Sequence, residues 1–367
     1  MKEGWTYKKL GEVCEILDNK RRPITKSDRK PGVIPYYGAT GIQDHVDGFI
    51  FDGRYLLIGE DGAKWGKGEN SAYIIEGKSW VNNHAHILDF HEEVIDTFAR
   101  YYLNEKDLTP FVTGAIVPKL TQAALVTISI PVPPLSEQER IVSELDLLTE
   151  VIDKQKAQLK ELDTLAQSIF YDMFGDPVLN DKGWEVEKLK IVAPQKNYQG
   201  CIPNAGGKYW LLNLDKVTPQ TGTVIEKMLF DKDDVGNSTI TFDTTNVLYS
   251  KLRPYLNKVV IPDSIGYGTS EFVPLQPKSD ILNRVFLANL LRSKPFVDYI
   301  SIKVAGAKMP RVSMDVLRDY DVILPPLSLQ QSFADKVSAI EQQKAAIGRS
   351  IAETQQLFDY TMDKYFG

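Results

Sequence analysis

The chain has 367 residues, 43 Lys and Arg against 49 Asp and Glu, a formal charge of −6 and 43% hydrophobic content. That length suits two or three domains, and the composition excludes a disordered, collagenous or disulfide-held protein. No apolar run reaches the roughly 18 residues of a membrane helix, the opening MKEGWTYKKL lacks a signal peptide's apolar core, and Cys14 and Cys201 have no motif spacing, so a cytoplasmic, reduced protein without a membrane span is expected.

Residues 1–135 read as a mixed region of short β-type runs, such as Tyr55-Leu56-Leu57-Ile58, broken by Gly and Pro turn signals. Basic, aromatic and amide residues cluster along it. They include Lys20-Arg21-Arg22, Pro35-Tyr36-Tyr37-Gly38, Lys64-Trp65-Gly66-Lys67 and Asn82-Asn83-His84. Residues 136–175 read as a long helix. Pro133-Pro134 cannot continue a helix backwards, Ser136 is a natural N-cap, and Glu139 would complete a capping box. Ile141, Leu145, Leu148, Ile152, Leu159, Leu162 and Ile169 then follow heptad spacing.

Residues 176–327 read as a second mixed region, with β-type runs at Val247-Leu248-Tyr249 and Lys258-Val259-Val260-Ile261. Its densest basic and aromatic stretch runs from Tyr249 through Lys251, Arg253 and Tyr255 to Lys258. Residues 328–367 read as a second long helix, with Ser328 as the expected N-cap. Phe333, Val337, Ile340, Ile347, Ile351 and Phe358 lie on its heptad seam, and Gln155 and Lys344 are polar layers in the two seams.

The second half repeats the first. Residues 114–138, GAIVPKLTQAALVTISIPVPPLSEQ, align without gaps on 306–330, GAKMPRVSMDVLRDYDVILPPLSLQ, at an offset of 192. Lys119 thereby corresponds to Arg311, and Ile116 to Lys308. Gly4-Trp5-x3-Lys9-Leu10 matches Gly183-Trp184-x3-Lys188-Leu189 at an offset of 179, so the middles differ in length. A repeat of this period is a duplicated domain. The expected fold is α+β: two mixed α/β domains separated by two long helices that pair as an antiparallel coiled coil, related by a pseudo-two-fold axis.

Catalytic motifs are missing. Gly59-Glu60-Asp61-Gly62 leads into no P-loop, since the glycine spacing and the Ser/Thr after Lys67 are wrong. A dinucleotide fingerprint and an amino-methyltransferase Asn-Pro-Pro-Tyr run are absent. Pro262-Asp263 with Glu271 hints at a nuclease, but Val273 stands where Lys is needed. His84 and His86 would share one strand face, yet no Cys or carboxylate at metal-ligand spacing completes a site. No catalytic residue and no metal site is therefore assigned. Charge adds a distinction: residues 136–175 hold 4 basic and 9 acidic groups, so most of the acidity belongs to the first long helix. The mixed regions are close to neutral, and Lys and Arg with Asn and Tyr suit phosphate and base-edge contacts.

Three features together resemble the specificity (S) subunits of type I restriction–modification systems. They are the alternation of mixed region and Pro-Pro-Leu-Ser helix, Pro-Tyr-Tyr-Gly-Ala-Thr-Gly at 35–41 with Asn-Asn-His-Ala-His-Ile-Leu at 82–88, and Leu-Tyr-Ser-Lys-Leu-Arg-Pro-Tyr at 248–255. The resemblance implies target recognition domains at 1–135 and 176–327, each reading half of a bipartite, asymmetric double-stranded DNA target. The helices at 136–175 and 328–367 would set the spacing. It implies a non-catalytic chain whose partners are modification subunits, which methylate adenine with S-adenosylmethionine, and, when present, restriction subunits that use ATP and Mg. Under it Lys64, Lys67, Lys119, Lys251, Lys258, Lys308 and Arg311 would hold phosphates. Tyr36, Tyr37, Asn82, Asn83, Arg253 and Tyr255 would lie nearer base edges. The competing reading is a coiled-coil scaffold that joins protein partners without DNA; a stand-alone enzyme with an unfamiliar site is a third.

Overall fold

The computed structural model describes residues 4–204, 206–236, 239–304 and 309–367, so Lys308 lies outside the described residues. The chain divides into two compact units, Met1–Gln155 with Ser350–Gly367, and Lys156–Arg349. Each unit takes one end of both long helices.

The first unit holds a six-stranded sheet in the order Cys14–Ile16, Ala85–Phe90, Phe51–Gly59, Ala72–Val81, Pro31–Gly38, Gly41–Val46. The central strand explains its own position. It starts with alternating burial and ends buried on both faces, as the Leu56-Leu57-Ile58 run requires. Leu56 and Ile58 pack with Ala99 and Leu103 of the helix Asp96–Glu105, whereas Leu57 faces Leu17, Ile75 and Ile87 on the other side. Thr6–Lys9 pairs antiparallel with Ser129–Val132, which joins the Gly-Trp phrase to the strand before Pro-Pro.

The second unit repeats that closing pair, with Val186–Lys188 antiparallel to Asp321–Ile323. Its remaining strands differ. They form a four-stranded sheet, Leu229–Asp231, Lys208–Leu212, Gly266–Thr269, Thr239–Phe242, and a three-stranded one, Val259–Val260, Val247–Ser250, Phe272–Leu275. Its main core gathers Phe170 and Phe174, Phe286 and Phe333, with ring centroids 4.7–5.6 Å apart.

The long helices span Leu135–Phe174 and Leu327–Phe366, 40 residues each. Both start one residue before the expected serine caps. Ser136 and Ser328 therefore sit inside the first turn, and the carbonyls of Pro134 and Pro326 take its N–H groups instead. The repeated Gln of the Pro-Pro-Leu-Ser-x-Gln phrase carries the larger burden. Gln138 is fully buried; its Oε1 accepts from Ile95 N and its Nε2 donates to Glu93 O and Pro133 O. Gln330 is fully buried and repeats all three bonds, to Asn283 N, Ile281 O and Pro325 O. Each Gln ties a long helix to the chain just before the short helix of its own unit. The neighbouring residue is free to change, as it does from Glu137 to Leu329.

Inside each unit the helix ends run antiparallel, numbers rising on one as they fall on the other. In the first unit Arg140 Nη1 donates to Tyr365 Oη (3.0 Å) and Gln155 Nε2 to Ser350 Oγ (2.7 Å). In the second, Lys344 Nζ lies 2.8 Å from Asp163 and Phe170 packs on Phe333. The heptad residues line the seam. Ile141, Leu145, Ile152, Leu162, Phe333, Val337 and Ile340 are buried, and Leu148, Leu159, Ile169, Ile347, Ile351 and Phe358 are half-buried. Both polar layers are matched across the seam. Burial pulls the Lys344 ammonium down, but its hydrogen bonds to Asp163 and Glu341 outweigh that and hold it above its ordinary value. Among the described residues no helix is long and apolar enough to cross a membrane.

Candidate nucleic-acid interface

In each unit a buried strand ends and its loop pairs with the residues around Lys119 or Arg311. In the first unit Asp61 bridges Lys119 and Leu120 N donates to Glu60 O (2.8 Å). In the second, Leu252 bridges Arg311 and Val312 N donates to Lys251 O (2.9 Å). The two loops are thus equivalent, Glu60 with Lys251 and Asp61 with Leu252. Their chemistry is not: one carries carboxylates where the other carries a cation and a leucine.

The acidic loop rests on a buried charge network. Glu60 is 8% exposed and sits 2.5 Å from Arg21 Nη1 and 2.7 Å from Lys119 Nζ. His86 is 1% exposed, with Nδ1 2.5 Å from Asp18 Oδ2 and Nε2 2.6 Å from Leu120 O. A carbonyl and a carboxylate can only accept, so the ring faces two acceptors. Asp18, Glu60 and His86 offer ligand atoms within 4.8 Å of one another. Arg21, Lys119 and the Leu120 carbonyl already take those atoms, so the cluster is a salt-bridge network that fixes the loop. His84 does not share the strand with His86; it lies in the turn before Ala85–Phe90, exposed, with Nδ1 2.6 Å from Asp61. The turn places it outside the strand alternation that would put both rings on one face.

Burial pushes the Glu60 carboxyl up, but hydrogen bonds from Lys119 and Arg21 outweigh it and hold the group below its ordinary 4.5. A lowered folded value stabilises the protein above the unfolded carboxylate's pKa, and that contribution fades as pH falls through the folded value. Glu60→Gln is therefore expected to lose stability at pH 7 while showing a shallower fall in urea midpoint from pH 5 to pH 3 than the unchanged protein. Parallel pH profiles would refute this account of the network.

The structure sorts the remaining candidates. In the first unit Asn83, Lys64 and Lys119 stand around the acidic loop. Lys64 is the freest, its side chain 81% exposed and 3.7 Å from Glu69. Tyr37 is half-buried beside Tyr73. Two candidates are corrected to building roles. Tyr36 is 1% exposed, its hydroxyl accepting from Ile24 N and its face covered by Arg29 at 4.2 Å. Asn82 is 2% exposed, accepting from His84 N and donating to Gln43. Their side chains hold the turn and the strand edge and leave no surface for a base. Lys67 is drawn to Asp363 (2.7 Å) and Glu105 (3.0 Å), away from the loop cluster.

In the second unit Lys251, Arg253, Tyr255 and Arg311 share one loop system. Arg311 holds Glu271 at 2.9 Å, Lys251 N donates to Glu271 O, and Arg253 N donates to Pro310 O. Arg253 and Tyr255 are exposed. Lys258 is instead a structural residue. Its Nζ donates to Leu214 O at 2.6 Å, and burial lowers its pKa. Sequence inspection missed Gln138, Gln330 and Glu60, and weighed His86 only as half of a histidine pair. Only the repetition of Gln in both Pro-Pro-Leu-Ser-x-Gln phrases could have marked any of them.

Several known proteins are similar to this chain. Residues 2–164 match the family model of the type I restriction modification DNA specificity domain. A putative type I restriction enzyme specificity subunit of Haemophilus influenzae is 43% identical over 143 residues, a match covering 39% of this chain and 37% of that protein. The EcoDI type I restriction enzyme specificity subunit of Escherichia coli is 21% identical over 374 residues, covering 92% of this chain and 81% of that one. The crystal structure of the S subunit of a type I restriction-modification system from M. genitalium superposes with a TM-score of 0.63 at 12% identity, over 99% of this chain and 96% of that one.

Proposed function

We propose, from its likeness to the specificity subunits of type I restriction–modification systems, that this chain is the DNA-reading subunit of such a complex. It recognises a bipartite, asymmetric sequence in double-stranded DNA. Each unit reads one half-site through the loops beside Lys119 and Arg311. The chain itself is non-catalytic: modification subunits carry S-adenosylmethionine and methylate adenine, and restriction subunits, where present, carry ATP and Mg and cleave.

The observation that carries this reading is the pair of equivalent loops. One architectural unit occurs twice, each copy presents a loop at the same place, and the residues there differ in charge. Two readers of one design with unlike contact residues suit an asymmetric target. A scaffold without DNA gives no reason for a preserved loop frame with changed contents.

Methylome sequencing of a host that carries the chain with its modification subunits tests the proposal. A methylated motif of two unlike half-sites around a fixed spacer is expected. Methylation without such a motif, or complex assembly without any sequence preference, would favour the scaffold reading.

A further inference from the structure

Arg253 occupies a backbone position that suits glycine. Its φ is +49°, in the left-handed region, where a Cβ crowds the following carbonyl. The equivalence of Glu60 with Lys251 and Asp61 with Leu252 places Gly62 at the matching position of the first unit, and Gly62 has φ +71°. Both copies therefore hold a positive φ at this position. One uses the residue that adopts it freely; the other keeps an arginine there at a steric cost.

Among the described residues nothing repays that cost. The Arg253 guanidinium makes no hydrogen bond or ion pair among the described residues, and the residue is exposed. Arg21, Arg29, Arg54, Arg140 and Arg311, by contrast, all hold carboxylates. The backbone beneath Arg253 is tightly fixed. Its N–H donates to Pro310 O (2.8 Å) and its carbonyl accepts from Leu256 N (2.9 Å). Gln220 clamps the same turn, its N–H on Leu256 O and its Nε2 on Tyr255 O. Asn257, itself left-handed, donates to Gln220 Oε1 and Arg292 O. A free guanidinium on a rigid, strained, exposed turn is preorganised for an external ligand.

We propose that Arg253 is a specificity-determining residue that reads a guanine in the half-site of the second unit, and that the first unit, with Gly62 there, makes no equivalent contact. This rests on the function proposed above. The guanidinium fork matches the O6 and N7 acceptors of guanine in the major groove. Rigidity of the turn favours a base edge over a phosphate, since a phosphate contact tolerates a mobile Lys or Arg. Tyr255, two residues on and 48% exposed, flanks the same contact.

The test uses the chain assembled with its modification subunits, unchanged or carrying Arg253→Gly or Arg253→Lys. Arg253→Gly keeps the left-handed turn, so the thermal midpoint should hold or rise and exclude misfolding. The unchanged complex should require a G·C pair at one position of one half-site. It should bind that duplex about tenfold to a hundredfold more tightly than single-base variants there. In both substituted complexes the preference at that position should collapse while every other position of the methylated motif persists. An unchanged motif would overturn the inference. So would weakening shared equally by all sequences with a smaller salt slope, which would assign Arg253 to a phosphate. If the unchanged complex methylates no bipartite motif, the function proposed above falls, and this inference with it.

Discussion

Inserting one heptad into both long helices, between Gln155 and Lys156 and between Arg349 and Ser350, is expected to widen the spacer of the methylated motif while preserving both half-sites. Seven residues add about 10 Å of helix, roughly three base pairs at 3.4 Å each. A heptad rotates the far end of each helix by only about 20° from its former facing, so the apolar seam survives. The insertions must be matched because the helices run antiparallel. Arg140 meets Tyr365 and Gln155 meets Ser350 in the first unit, as Asp163 meets Lys344 in the second. A heptad in one helix alone would displace one side of those pairs against the other. Methylome sequencing reads the result. Altered half-sites at an unchanged spacer would refute the helices as a ruler.

The second large effect concerns the buried glutamines. Gln138→Leu removes one side chain and strands Ile95 N, Glu93 O and Pro133 O. Gln330→Leu does the same to Asn283 N, Ile281 O and Pro325 O. A buried group left without its partner costs about 1–3 kcal/mol, so each variant should lose roughly 3 kcal/mol or more. For a unit of this size that is a fall of about 6–12 °C in Tm. The effects should stay separate. Hydrogen exchange should report faster opening in residues 4–155 for Gln138→Leu and in residues 156–349 for Gln330→Leu. Equal loss in both units from either variant, or a shift under about 2 °C, would show that these glutamines do not anchor their units.

The long helices and the duplication were legible because their causes are local or repeated. Heptad spacing and a Pro-Pro start lie within one stretch of chain, and the 192-residue offset needs no structure to see. The contact residues were only half legible. Lys67 looks like a free surface cation in its Trp-Gly neighbourhood, but the carboxylate of Asp363 reaches it from 296 residues away. Tyr36 sits in an inviting Tyr-Tyr-Gly phrase, yet period-two alternation in its strand turns it inward while Tyr37 stays partly open. Lys258 ends the densest basic and aromatic stretch of the second region and is spent on a backbone carbonyl. The equivalence of Gly62 and Arg253 was hidden altogether. Residue types there have diverged, and only pairing with Lys119 and Arg311 restores the register.

The division of the chain also dictates an order of events on the ribosome. Residues 156–349 form the second unit without interruption, whereas the first needs Ser350–Gly367 as well as Met1–Gln155. Phe98 and Tyr102 wait for Phe366, Tyr101 for Phe358, and Lys67 for Asp363. During vectorial synthesis the earlier-made unit is therefore the later one to close, reversing the usual sequence in which N-terminal domains fold first. Its nascent sheet must persist with an open flank while nearly two hundred residues are translated. That interval is where the protein is most exposed to chaperones, proteases and mispairing with a second nascent chain.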